Sequence, residues 1–248
     1  MTPRSPSTRQ RLNRFLARAG VGSRRRADEL IAAGHVTING INVTTLGTLV
    51  DPAADTVALD GRTLKPAVDV PIWIVFNKPA GTLTARRDAR GRSTIYDHLP
   101  QEWRLLIPVG RLDYDTEGVL LLTSDGDGAN RLMHPRYEVE RIYKATIEGV
   151  PTLSSLRRLA VGIDLGDPTP ARAQVTIVHR QRDHSTVHAI LREGRKREVK
   201  RMMLAIGHRV LELKRVSFAG ITARGLKPGQ WRQLTATEVR RLSRVPGV

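Results

Sequence analysis

Gly110-Arg111-Leu112-Asp113-Tyr114-Asp115-Thr116-Glu117-Gly118-Val119-Leu120-Leu121-Leu122-Thr123 is the stretch around which the rest of the chain is organised. Three acids lie within five residues, between two glycines and beside an arginine, and they run straight into an apolar segment. A short apolar run bounded by turn residues predicts a buried strand. The acids are therefore expected on a loop pinned to the core, where a carboxylate is positioned and partly shielded from water. Gly118 reads as the turn into that strand. Which acid does chemistry, the stretch alone leaves open.

The chain has 248 residues, room for a small and a medium domain. It has no cysteine, which excludes disulfides and thiolate metal sites and points to a reducing, cytoplasmic compartment. No apolar stretch approaches the roughly 18 residues of a membrane span. Residues 1–8 carry charge but no apolar h-region, so they are expected as a disordered tail and not a secretory signal. The net charge of +17 makes a polyanion the expected partner, because neutralised phosphates release counterions and drive binding. No basic helix with a bulky apolar face favours a membrane surface instead. Charge does not choose between DNA and RNA.

Residues 9–65 read as a unit of their own. Leu12, Phe15, Leu16 and Ala19 recur at helical spacing before Gly20, and Ser23 is placed to cap a second helix, Arg24 to Ala33. Asn39-Gly40 and Asp60-Gly61, each between alternating segments, predict two hairpins. Arg9, Arg11, Arg14, Arg18, Arg24, Arg25 and Arg26 crowd the two helices, opposed only by Asp28 and Glu29. A solvated charged face is the bland alternative, but so many like charges repel unless an anion binds, so phosphate contact is the better reading. The segment resembles an S4 RNA-binding domain through Arg11-Leu12, Phe15-Leu16-Ala17-Arg18-Ala19-Gly20, Ser23-Arg24-Arg25 and Gly34-His35-Val36-Thr37-Ile38-Asn39-Gly40. That resemblance tilts the polyanion toward structured RNA.

Residues 66–71 read as a proline-containing linker, and residues 72–248 as a larger domain. Strands are predicted at Ile72–Phe76, Val139–Ile147, Ala173–Val178, Thr186–Leu191 and Leu211–Phe218. Helices are predicted at Leu153–Leu159, Glu198–Ile206 and, in short form, Thr237–Ser243, with one helical turn at Ile95–Leu99. With no regular βαβ repeat, the fold class is α+β with a mixed, mostly antiparallel sheet flanked by helices. Period two puts Tyr143 on the face of Val139, Ala145 and Ile147.

Metal chemistry fits poorly. Asp113-x-Asp115-x-Glu117-Gly118 mimics the start of an EF-hand loop, but its twelfth position is Ser124 where a bidentate Glu is required. His184 and His188 are four apart in a strand-like segment without a third ligand. No phosphate-cradling or dinucleotide glycine motif and no nucleophile elbow is present. Acid, base and nucleophilic roles remain for the three acids, as does a plain role as solvated loop acids. In the helix after Gly194, Val199, Met202, Met203 and Ile206 form one stripe, with Lys200 at its margin, so its stem can lie along the core and its ammonium reach a carboxylate. A carboxylate held ionised suits nucleophilic or proton-abstracting work.

Longer motifs carry a second resemblance. Gly110-Arg111-Leu112-Asp113-x-x-Thr116-x-Gly118 through Asp125-Gly126 resembles the signature of the RsuA/RluB-type ribosomal RNA pseudouridine synthases. Lys78-Pro79-x-Gly81, Tyr143, Glu193-Gly194-Arg195-x-Arg197-x-Val199-Lys200-Arg201-Met202 and the segment from Leu213-x-Arg215 to Leu234-Thr235 are similar to the family's other motifs. The resemblance implies isomerisation of a uridine in rRNA, more in keeping with 23S than 16S, by a monomer without metal or organic cofactor. It implies Asp113 as the catalytic aspartate, Tyr143 as the ring that packs on the target base, and Lys200 as the basic residue paired with that aspartate. Arg111, Lys78, Arg195 and Arg197 would bind the substrate RNA, as would Arg11, Arg18, Arg24 and Arg25 of the first unit. Glu198 departs from the glutamine that many relatives carry. The alternative from another class is a ribosome-assembly factor that binds rRNA without chemistry, and a metal-dependent phosphodiesterase is more remote.

Overall fold

A computed structural model describes residues 9–65 and 71–244. The chain divides into two compact units, Met1–Val70 and Pro71–Val248. The expected tail, residues 1–8, and all of the expected linker except Pro71 lie outside the described residues.

The first unit runs β1 (Gln10–Arg11), α1 (Leu12–Arg18), α2 (Arg24–Ala32), β2 (Val36–Ile38), β3 (Ile41–Asn42), β4 (Leu49–Val50), β5 (Val57–Leu59) and β6 (Arg62–Leu64). Ser23 caps α2 by accepting from the Arg26 backbone N–H. Asn39-Gly40 and Asp60-Gly61 turn the β2–β3 and β5–β6 hairpins, with φ of 51° and 81°, and 47° and 81°. Both values of each pair are positive, as a type I′ turn demands. Leu12, Phe15, Leu16, Ala27 and Ile31 pack with Val36, Val50 and Val57 into one small core.

The second unit is built on β7 (Trp73–Lys78), β8 (Ile107–Pro108), β9 (Glu117–Thr123), α3 (Gly126–Met133), β10 (Arg141–Glu148), α4 (Leu153–Val161), β11 (Gln174–Arg180), β12 (His184–Leu191), α5 (Glu198–Ala205), β13 (Val210–Phe218), β14 (Trp231–Gln233) and α6 (Ala236–Ser243). The sheet order is β11-β12-β10-β13-β9-β7-β14, with β8 added beside β9. Among the described strand pairs of this sheet, only β13 against β9 is parallel. The continuous apolar runs of β7 and β9 are explained by burial on both faces. Ile74, Phe76, Leu120 and Leu122 enter one core, while Trp73, Val75, Val119 and Leu121 enter the other. Each such side chain is worth about 1.5–3 kcal/mol on burial, so this central pair anchors everything attached to it.

Two local departures from simple strand geometry shape the site. Gly118 is not the turn before β9 but lies inside it, at φ +106°, opposite Arg215 of β13. A Cβ there would lie 2.2 Å from the Arg215 carbonyl oxygen, so only glycine allows the parallel pair to close. Between β10 and β13, Ile142 pairs with Ser217 but Tyr143 pairs with Arg215, leaving Val216 as a bulge. The helix α3 was not expected, because Gly126 and Gly128 weaken helical propensity. Asp125 compensates by accepting from the Asp127 and Gly128 backbone N–H groups.

Candidate active site

Asp113, Arg111, Tyr143, Arg197, Arg215 and Phe218 line a cleft of about 510 Å³ in the second unit, a volume in the range of small-molecule sites. The acid loop forms one wall. Thr116 N–H donates to the Asp113 carbonyl at 3.1 Å, closing a turn with Tyr114 and Asp115 at its corners. Asp113 is half-buried on the cleft wall, while Asp115 is exposed.

The turn separates the roles of the acids. Lys200 donates to Asp115 Oδ1 at 2.5 Å, not to Asp113 as the resemblance implies. That bond holds the Asp115 carboxyl below its usual range, against a smaller opposing effect of burial. Lys200 therefore fastens α5 to the acid loop one turn position away from Asp113. Glu117, at the start of β9, lies 3.9 Å from Lys214.

Lys78 also differs from its expected role. It is fully buried, and its ammonium donates to Pro79 O at 2.9 Å, Thr116 O at 2.9 Å and Tyr114 O at 3.3 Å. Gly81 N–H meets the same Tyr114 carbonyl at 2.8 Å. Lys78 thus binds the acid loop from beneath and is not available to RNA. Desolvation lowers its pKa to about 8, partly offset by Asp115, Asp113 and Glu117.

Arg195 is committed within the protein as well. Its Nε donates to Glu193 at 2.8 Å, Nη1 reaches Asp167 at 3.2 Å, and Nη2 donates to Thr169 Oγ1 at 2.8 Å. It braces the loop before α5 at the edge of the cleft, which it also lines. Arg111 and Arg197 line the cleft and are exposed. In the first unit Arg11, Arg18, Arg24 and Arg25 are exposed, Arg24 also donating to Asn13 Oδ1 at 3.2 Å.

The cleft floor holds groups the sequence reading did not assign. Arg141 and Arg215 are buried and both stack on Phe218, at 5.0 and 4.8 Å from the ring centre. Arg141 donates to Val139 O at 2.6 Å and Leu132 O at 3.0 Å, and Arg215 Nε to Val119 O at 2.7 Å. Burial lowers the Arg141 pKa. Period two along β10 already placed Arg141 on the face of Tyr143, a usable signal; nothing in the spacing predicted Arg215 beside it.

Glu198, also buried, accepts from Arg195 N–H at 2.9 Å, while its other oxygen stands 3.8 Å from Arg195 Nε, beyond hydrogen-bond reach. Burial pushes this carboxyl up to about 7, the Arg195 N–H opposing and Glu193 adding to the rise. Among the described residues no group of three or more His, Cys, Asp or Glu could hold a metal ion. His184 instead pairs with Asp183 at 2.8 Å. No helix among them is long and apolar enough to cross a membrane.

Comparison with known proteins agrees with this architecture. Residues 72–205 match the family model described as RNA pseudouridylate synthase, and residues 10–57 match the S4 domain. The chain is 43% identical over 235 residues to ribosomal large subunit pseudouridine synthase B of Bacillus subtilis strain 168, covering 94% of this chain and 95% of that one. The protein of the same name from Vibrio cholerae is 37% identical, over 93% of this chain and 73% of that one. A crystal structure of a pseudouridylate synthase superposes with a TM-score of 0.67 at 30% identity, covering 94% of this chain and 99% of its own.

Proposed function

The chain belongs to the RNA pseudouridylate synthase family, isomerases that convert uridine to pseudouridine, and on that premise we propose that it modifies a uridine of large-subunit ribosomal RNA with Asp113 as the acting carboxylate. The observation that carries the assignment is the separation of the three acids: Asp113 lines the cleft with Tyr143, whereas Asp115 is engaged by Lys200 and Glu117 lies near Lys214. The names of the Bacillus and Vibrio relatives support the ribosomal large subunit as the source of substrate. The S4 domain supports RNA as the polyanion that the charge of +17 calls for.

The reaction breaks the N1–C1′ bond, turns the uracil, and forms C5–C1′; the C5 hydrogen is lost and N1 gains one, so the product is an isomer. One carboxylate serves as nucleophile or as base for such a sequence. The uridine must leave its stack, which costs a few kcal/mol. Tyr143 replaces part of the lost stacking, and phosphate contacts from Arg111, Arg197 and the S4 arginines supply the rest.

The test is an rRNA fragment incubated with wild type and with Asp113→Asn, followed by mapping of pseudouridine. The variant should bind RNA and show turnover reduced by at least about a thousandfold, in line with loss of a catalytic group. Wild-type turnover in Asp113→Asn would remove Asp113 from the role; wild-type protein silent on large-subunit rRNA but active on small-subunit rRNA would overturn the substrate.

A further inference from the structure

The floor of the cleft carries a polar group whose bonding is incomplete. Arg215 is 2% exposed, yet among the described residues its Nη2 has no hydrogen-bond partner. A buried donor left unpaired costs about 1–3 kcal/mol, so such groups in a cleft wall are expected to meet a ligand. The rest of the side chain is fixed: Nε is held by Val119 O, and the guanidinium plane rests against Phe218. Arg215 is therefore a preorganised donor with one direction open.

Its position selects the part of the substrate it would meet. The bulge at Val216 makes Arg215 the direct cross-strand neighbour of Tyr143, and both side chains line the cleft. If Tyr143 packs on the base, a donor beside its ring lies along the base edge, not along the phosphate chain. Asp113 lines the same cleft and is half-buried where Arg215 is buried, and the glycosidic end of the nucleotide must lie on the Asp113 side. A buried floor group then faces the edge remote from the sugar, where uracil carries O4 and cytosine carries an amine.

We infer that Arg215 reads the base, its Nη2 donating to O4 of the flipped uracil, and that it thereby favours uridine over cytidine, whose amine offers it no acceptor. The inference rests on the proposed action on a flipped uridine. It adds a specificity residue outside the Asp113, Tyr143 and Lys200 set.

The experiment uses the full chain and an rRNA fragment containing the mapped target as uridine, 4-thiouridine or 2-thiouridine, with nucleosides resolved after single turnover. Sulfur accepts hydrogen bonds poorly, so the wild type should isomerise the 4-thio substrate about tenfold or more slowly than uridine, and the 2-thio substrate at nearly the uridine rate. In Arg215→Met the uridine rate should drop toward the 4-thio rate, and the ratio between them should approach unity. Equal wild-type rates on uridine and 4-thiouridine would overturn the inference, as would a folded Arg215→Met that keeps the full ratio. If that variant does not fold, the wild-type comparison of the two thio substrates decides alone. Failure to turn over uridine itself would remove the activity reading and this one together; turnover of uridine without discrimination removes only this one.

Discussion

Replacing Gly118 by alanine tests whether the parallel β9–β13 junction holds the site together. That junction has two register pairs, Lys214 with Glu117 and Arg215 with Gly118. An alanine Cβ would stand 2.2 Å from Arg215 O and 2.9 Å from Arg215 C and N. Non-bonded carbon is comfortable near about 3.5 Å, so the strands would have to part by about 1 Å. The φ of +106° adds backbone strain of about 1 kcal/mol, and overpacking adds about 1–3 kcal/mol. The expected loss is about 2–4 kcal/mol, which for a chain of this size lowers Tm by roughly 4–16 °C. Because the junction sets Arg215 against the wall bearing Asp113, turnover should fall too, by about a hundredfold for a displacement near 1 Å. Thermal unfolding and single-turnover pseudouridine formation, the latter at a temperature where the variant is folded, measure both. An unchanged Tm with unchanged turnover would refute the reasoning.

Lys78→Met should damage activity more than stability. It takes the ammonium from the Pro79 and Thr116 carbonyls, at about 1–3 kcal/mol each, and leaves the Tyr114 carbonyl only its Gly81 N–H donor, but it also relieves the burial of an ammonium, worth about 3 kcal/mol for a pKa lowered from 10.5 to about 8. Since folded Lys78 gives up its proton before the unfolded form does, wild-type stability should gain as pH rises from about 8 to 10.5. A Met variant that shows the same gain, or full turnover, would contradict this account. Glu198 has the opposite sign: its carboxyl is raised from 4.5 to about 7, so its contribution to stability is present at low pH and is lost as pH rises through about 7. Glu198→Gln keeps an acceptor for Arg195 N–H and should flatten that decline in denaturant midpoints taken between about pH 5 and pH 8; parallel profiles for the two proteins would refute it.

What the sequence made legible follows local physics. Ser23, Asn39-Gly40 and Asp60-Gly61 each carry their cap or turn within a few residues, so α2 and the two hairpins of the first unit could be read locally, while the β1–β4 pair, joined across about forty residues, could not. The apolar runs of β7 and β9 signalled burial on both faces for the same reason. Long-range pairings were not legible. Lys200 lies 85 residues from Asp115, and its choice of Asp115 over Asp113 depends on a turn closed by Thr116. Lys78 and Arg195 looked like surface cations because charge normally faces water; only the fold reveals the carbonyls and carboxylates that accept their hydrogen bonds. Two glycines masked α3, although Asp125 marked its start.

Val216 changes how the cleft should be thought of as inherited information. In unbroken register, Ile142 opposite Ser217 would bring Val216, not Arg215, opposite Tyr143. The partner of the tyrosine is thus written as an interval, the number of residues from Arg215 to Phe218, as much as in the identity of the arginine. Deleting Val216 would keep Arg215 opposite Tyr143 in regular register, whereas closing the register with Val216 still present would exchange a cation for an aliphatic side chain at the floor.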